Sequence, residues 1–160
     1  MSLEVKFLLD SMFGSLARWL RICGYDAEYI KNIQDDEIVQ RSLEEERVIL
    51  TRDKLLYKKA LKAGANVLHV EGDNDTERLS FIRNKLGIIL EPEQSRCPVC
   101  GGLLKYAEKN FLKGRIPTMT YEHYNDFWIC NSCGKIYWKG SHWINILKTV
   151  NEASTTGSNA

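Results

Sequence analysis

Two sets of residues in this chain have types and spacing suited to chemistry. The first is a pair of Cys-x-x-Cys knuckles, Cys97-Pro98-Val99-Cys100 and Cys130-Asn131-Ser132-Cys133, each followed by a glycine, Gly101 and Gly134. Two knuckles in one short segment predict a tetrahedral four-thiolate zinc site. The glycines suit the tight turn that aims two thiolates at one ion. Two disulfides or a redox dithiol would use the same residues, but knuckles a loop apart are better explained by one metal. Four thiolates leave no open position for water, so Cys97, Cys100, Cys130 and Cys133 read as ligands of structural zinc. His142 could stand in for a cysteine, but four cysteines already saturate the ion. The knuckles lie further apart than in the commonest ribbons, so a hairpin or loop must fill the gap.

The second set is acidic. Asp10 ends an apolar run from Val5 to Leu9, Asp53 follows another at Val48–Leu50, and Asp35 and Asp36 open a helical segment between them. If these runs are neighbouring strands of a parallel sheet, all of these acids fall on its carboxyl edge, where such sheets bind ligands. Converging carboxylates repel and call for a hard cation, magnesium or manganese. Such an ion activates water and steadies the leaving oxygen of a phosphodiester. Taken singly, each aspartate reads better as a helix cap; two strand-end aspartates with an Asp pair at a third helix start shift the set toward a site. Asp73 and Asp75 are candidates for a fourth acid, or a turn residue and a cap. Glu44–Glu46 reads as a solvated helix end. Arg18 and Arg52 lie near the same edge and could meet a phosphate or pair with the acids.

The elements that must position these residues alternate. Strands are expected at 5–9, 27–30, 48–50 and 67–70, and helices at 11–23, 35–46, 54–63 and 76–86. Gly24, Gly64 and Gly87 stand where helices stop. Strands alternating with three-turn helices predict a parallel α/β sheet over residues 1–94. The pattern ends near Glu91-Pro92-Glu93, and the cysteine module occupies 95–150. The small polar residues 151–160 read as a disordered tail.

The chain has 160 residues and a formal net charge of +1. Residues 1–94 carry 14 Lys and Arg against 17 Asp and Glu, and residues 95–150 carry 8 against 3. An acidic domain beside a basic module suits a cation for the former and an anionic partner for the latter. The module is rich in aromatics, including Trp128, Tyr137, Trp138 and Trp143, interleaved with Lys105, Lys109, Lys135 and Lys139. Aromatic faces stack on unpaired bases while lysines meet phosphates; a small module also needs aromatics for its own core, the reading preferred for Trp128 and Tyr137. Trp138, Lys139 and His142 are the candidate nucleic-acid contacts. The first residues lack the apolar stretch of a signal peptide, no run approaches a membrane span, and Cys23 is left unpaired as a buried small hydrophobe. A reducing cytoplasm and no membrane partner are therefore expected. No Gly-x-x-x-x-Gly-Lys loop or Gly-x-Gly-x-x-Gly turn is present, and no organic cofactor is expected. Asp10-Ser11-Met12 lacks the second aspartate of a phosphoaspartate phosphatase.

The ordered segments Phe7-Leu8-Leu9-Asp10-Ser11-Met12, Leu16-Ala17-Arg18-Trp19-Leu20-Arg21, Gly24-Tyr25-Asp26, Leu50-Thr51-Arg52-Asp53, the two knuckles, and Ile136-Tyr137-Trp138-Lys139-Gly140-Ser141-His142 resemble the Mut-seven C-terminal RNase domain family. The resemblance covers about residues 5–147. It implies a PIN-like, three-layer α/β nuclease domain fused to a C-terminal zinc ribbon. It further implies a metal-dependent ribonuclease with Asp10, Asp35 and Asp53 as acids holding magnesium or manganese; the helix acid of such domains matches Asp35 better than Asp36. RNA is the implied partner, and a homodimer is suggested because other PIN-like domains often dimerise. No fourth acid matches the pattern securely. A non-catalytic RNA- or protein-binding module on a degenerate PIN-like fold is the alternative.

Overall fold

The computed structural model of the chain describes residues 4–155. Its first part alternates β1 (Lys6–Leu9), α1 (Gly14–Ile22), β2 (Asp26–Tyr29), α2 (Asp35–Glu45), β3 (Arg47–Thr51), α3 (Lys54–Lys62), β4 (Val67–His69) and α4 (Asp75–Leu86). The four strands form one parallel sheet in the order β2-β1-β3-β4. Side chains alternate across a strand. Phe7 and Leu9 therefore pack with Leu16, Leu20, Leu79 and Ile82 of α1 and α4. Leu8 and Ile49 face the other way, onto Ile38 and Val39 of α2 and Leu56 and Ala60 of α3. A strand covered on both faces needs an unbroken apolar run, and Phe7-Leu8-Leu9 supplies it. The result is the expected three-layer α/β architecture.

Element ends differ from expectation where local hydrogen bonds intervene. Helix α1 begins at Gly14, not Ser11, because the Asp10 carbonyl accepts the Phe13 N–H at 3.2 Å and closes a turn first. Neither Asp35 nor Asp36 caps α2. Gln34 holds the cap position, and both acids lie in the first turn, beside the positive end of the helix dipole. Asn74, not Asp75, caps α4 by accepting the Glu77 N–H.

The cysteine module folds as an antiparallel sheet, β5 (Leu104–Ala107), β6 (Phe127–Cys130) and β7 (Ile136–Tyr137), in that order. A 3-10 turn at Lys109–Leu112 and the short helix α5 (Thr118–His123) fill the long separation between the knuckles. Helix α6 (Ser141–Thr155) then packs back on α4. This corrects the expected tail for residues 151–155, which are helical: Val150 and Ala153 are buried against the α1–α4 layer, and Arg83 Nε donates to the Ala153 carbonyl at 3.4 Å. The rest of that expected tail, 156–160, lies outside the described residues. No helix among the described residues is long and apolar enough to cross a membrane.

Candidate active site and metal centre

The chain leaves β1 for β2 on one side and returns to β3 on the other, so strand order reverses between β1 and β3. Ligands of open parallel sheets bind at the carboxyl ends flanking such a point. Asp10 follows β1 and is 8% exposed. Its Oδ1 accepts the Met12 N–H at 3.1 Å, and its Oδ2 accepts the Thr51 hydroxyl at 2.6 Å. The same Thr51 oxygen accepts the Asp53 N–H at 2.9 Å. Asp53 caps α3, and its Oδ1 accepts the N–H groups of Leu55 (2.8 Å) and Leu56 (3.3 Å). Its Oδ2 has no hydrogen bond among the described residues. Thr51 is fully buried and ties the two acidic positions together. Sequence reasoning quoted Thr51 within a motif and gave it no role. The available signal was a hydroxyl residue ending a buried run two positions before a strand-end acid.

Asp35 is half-buried in the first turn of α2 and makes no hydrogen bond or ion pair among the described residues. Asp36 is exposed and pairs with Lys59 at 2.8 Å. Asp75 pairs with Arg78 at 3.3 Å, while Asp73 is exposed. The carboxylates share the sheet edge without closing into a tight cluster. Among the described residues, the four cysteines are the one group of three or more such side chains with all ligand atoms within 4.8 Å of one another. Arg18 is exposed on α1, and Arg52 Nη1 donates to the Gly72 carbonyl at 3.1 Å. Neither arginine forms an ion pair with an acid among the described residues.

The cysteine geometry fits zinc. Tetrahedral bonds of about 2.3 Å put ligand sulfurs about 3.8 Å apart. Cys97 and Cys133 sulfurs lie 3.7 Å apart, and Cys100 and Cys130 sulfurs 3.4 Å. No disulfide is formed. Backbone N–H groups of Ser132 and Cys133 donate to Cys130 Sγ at 3.3 and 3.4 Å, and Gly102 N–H donates to Cys100 Sγ at 3.4 Å. Burial opposes ionisation of Cys130, but the backbone donors and neighbouring thiols outweigh it and bring the thiol down to about 6. Gly101 and Gly134 have φ of 80° and 77°, the left-handed turns the knuckles require. Gly102 is needed for a different reason: a Cβ there would stand 2.8 Å from Cys130 Sγ. The Tyr137 hydroxyl lies 3.0 Å from Cys97 Sγ. Burial, then this bond, raises the Tyr137 pKa, so the hydroxyl stays protonated and donates to a thiolate.

Arg21 fastens this module to the sheet domain. Its Nε donates to the Ala27 carbonyl at 2.8 Å, and its Nη1 to the Pro98 and Val99 carbonyls of the first knuckle at 3.1 and 3.2 Å. Its own carbonyl accepts the Arg96 N–H at 2.8 Å. The residue is 8% exposed. Sequence reasoning assigned Arg21 no function, and helical periodicity alone carries no signal for a donor that reaches a segment some 77 positions away.

Among the aromatics, Phe127 is fully buried and contacts the Trp138 ring, whereas Trp128, Trp138 and Trp143 remain half-buried. Lys139 Nζ sits 5.6 Å from the Trp128 ring centre and 4.8 Å from that of Trp143, and pairs with Glu93 at 2.9 Å. His142 is exposed at the start of α6.

Fold and site together define a class: a three-layer parallel α/β domain with aspartates at its switch point, joined to a four-cysteine zinc-ribbon module. The model of the Mut7-C RNAse domain matches residues 5–150, and the chain belongs to that family. It is also similar to a cysteine–tRNA ligase of Paraburkholderia xenovorans (strain LB400), 32% identical over 106 residues, which are 62% of this chain and 22% of the ligase. The chain thus spans less than a quarter of that relative's length. No solved structure matches.

Proposed function

We propose that the protein is a metal-dependent ribonuclease that hydrolyses RNA phosphodiesters at the carboxyl edge of its sheet. The supporting observation is the Thr51 bridge, which holds Asp10 and Asp53 on either side of the strand-order reversal. The donor set suits a hard cation, since every candidate ligand is a carboxylate oxygen. Magnesium or manganese bound there would activate water and stabilise the leaving oxygen. Asp10 and Asp53 supply the ligands fixed by backbone and hydroxyl donors. Asp35 would be the third: of the first-turn acids of α2 it is the half-buried one, while Glu37 is exposed and Asp36 is exposed and engaged by Lys59. Magnesium or manganese held by these oxygens would keep several waters, as such ions commonly do. Arg18 and Arg52 contact substrate phosphate. The ribbon assists RNA binding through Trp138, Lys139 and His142, its zinc being structural. RNA as the partner, a cytoplasmic location and a homodimer belong to the same reading; the likeness to a protein named for tRNA supports an RNA partner.

The spacing of the carboxylates favours one second reading, an RNA-binding module without catalysis. Manganese titration separates the two. The nuclease raises its melting temperature in millimolar manganese, and Asp10→Asn/Asp53→Asn abolishes that rise. A chain with no catalytic cation site shows no such rise.

A further inference from the structure

A cleft of about 470 Å³ lies at the seam between the two modules. The end of α1 and the residues after it (Ile22, Gly24) form one wall, the 92–98 connection another, and the ribbon with the start of α6 the third. Three of the chain's four tryptophans, Trp128, Trp138 and Trp143, line it, and Lys139 and Arg96 are its cations. None of these tryptophans is fully buried, so the module has not consumed them as core. Phe127 and Leu112 supply that core instead.

We infer that this cleft binds an unpaired nucleobase of RNA, stacked on indole, with its phosphate on Lys139. The inference rests on the reading of RNA as the partner and gives that partner a binding point remote from the acids. Aromatic faces accept any base by stacking, and an adjacent cation holds the backbone. The Lys139–Glu93 pair is exposed on both sides, at 41% and 59%, so a phosphate exchanges for the carboxylate at little cost. Arg96 spends one N–H group on the Gly101 carbonyl at 3.2 Å and keeps others for an anion. The basic balance of residues 95–150, 8 cations against 3 acids, favours RNA over an acidic or neutral protein surface as donor of the stacking group. Trp128 and Tyr137, expected as core, both line the cleft, and Tyr137 also places its hydroxyl 3.0 Å from Cys97 Sγ.

The position matters. Asp10 precedes α1 and Gly24 follows it, so the cleft lies at the opposite edge of the sheet from the acids. RNA held in the cleft reaches the acids only by running the length of α1, about 13 Å. The cleft is thus an anchoring subsite, separated from the bond to be cut by the span of α1.

Tryptophan emission reads the cleft directly, with Trp19 of α1 as the one indole outside it. The zinc-loaded Asp53→Asn chain is titrated, without added divalent metal, with adenosine and uridine monophosphates, ribose 5-phosphate, and a short unstructured oligoribonucleotide. The oligonucleotide and both nucleotides are expected to quench the emission saturably, and ribose 5-phosphate to leave it unchanged. Trp143→Leu should weaken oligonucleotide binding about tenfold. Lys139→Gln, at an exposed position that leaves the fold intact, should weaken it and reduce the salt slope by about one. Absence of quenching, equal quenching by ribose 5-phosphate, or unchanged affinity in both variants would overturn the proposal and leave the cleft to a protein partner. Because the titration needs no cleavage, a failed nuclease assay does not decide it, and intact cleavage with no quenching counts against the cleft alone.

Discussion

The Thr51 hydroxyl donates a 2.6 Å hydrogen bond to the Asp10 carboxylate in a setting where Thr51 is fully buried and Asp10 nearly so. A buried carboxylate must be paired or solvated by donors. Here one hydroxyl both pairs it and takes up the Asp53 N–H, so two candidate metal ligands from different strands depend on one oxygen.

Replacing Thr51 with Val keeps the shape and removes that oxygen. The Asp10 carboxylate and the Asp53 N–H each lose a partner, and leaving such groups unsatisfied costs about 1–3 kcal/mol. Urea denaturation should show a loss of that size, with RNA cleavage reduced at least tenfold. Thr51→Ser should restore most of both. A Val variant as stable and active as the parent would remove Thr51 from the account.

Arg21 makes a second test of how the modules are joined. Its planar guanidinium meets three carbonyls at once, which a lysine cannot reproduce. Arg21→Lys should lower stability by roughly 2 kcal/mol, judged from the strength of hydrogen bonds to charged groups. It should also speed zinc loss to a chelator, because the first knuckle loses its anchor. Unchanged release would show that the knuckle holds its shape without Arg21.

Zinc removal should unfold the ribbon while leaving the sheet domain folded, since metal binding and folding are coupled in modules with so small a core. Limited proteolysis of the chelated protein should cut within 97–140, and elemental analysis of the intact chain should find one zinc per chain. Protection of that segment after chelation would contradict a structural role for the metal.

Much of this architecture was legible because its signals are local. The run Phe7-Leu8-Leu9 announced a strand buried on both faces, Gly87 marked a helix end, and the knuckle glycines announced their turns. The edge on which Asp10 and Asp53 lie followed from strand-end acids in a parallel sheet. The misreadings involve contacts distant in sequence. Residues 151–155 look like a polar tail until α4 is placed beside Ala153. Arg21 carries no reading of its own until the first knuckle is placed beside it. The preference for Asp35 over Asp36 came from resemblance, and Lys59, one helix away, is what engages Asp36. Glu45 is a local case: it reads as solvated at a helix end, yet it bridges Arg41, one turn earlier, at 2.9 Å and Arg47, just past the helix, at 2.6 Å.

That last pair gives a pH dependence. The hydrogen bond from Arg41, then that from Arg47, draws the Glu45 carboxyl from its ordinary 4.5 down to about 2. A depressed folded-state value means stability that is present above the unfolded value and is lost as pH falls from about 4.5 toward 2. Glu45→Gln should flatten the stability profile in that window and leave its slope near neutrality unchanged. The side chain is a third exposed, so the effect is modest. An identical acid limb in the variant would show that the bridge contributes nothing.

The most direct measurement is cleavage of an end-labelled structured RNA in manganese, with the parent chain, Asp10→Asn/Asp53→Asn, and a chelator control run together. Metal-dependent cutting by the parent is expected, with at least a hundredfold less by the variant and RNA binding retained by both. Cutting by the variant at the parental rate, or no cutting by a parent chain that binds the RNA, would contradict the proposed nuclease function.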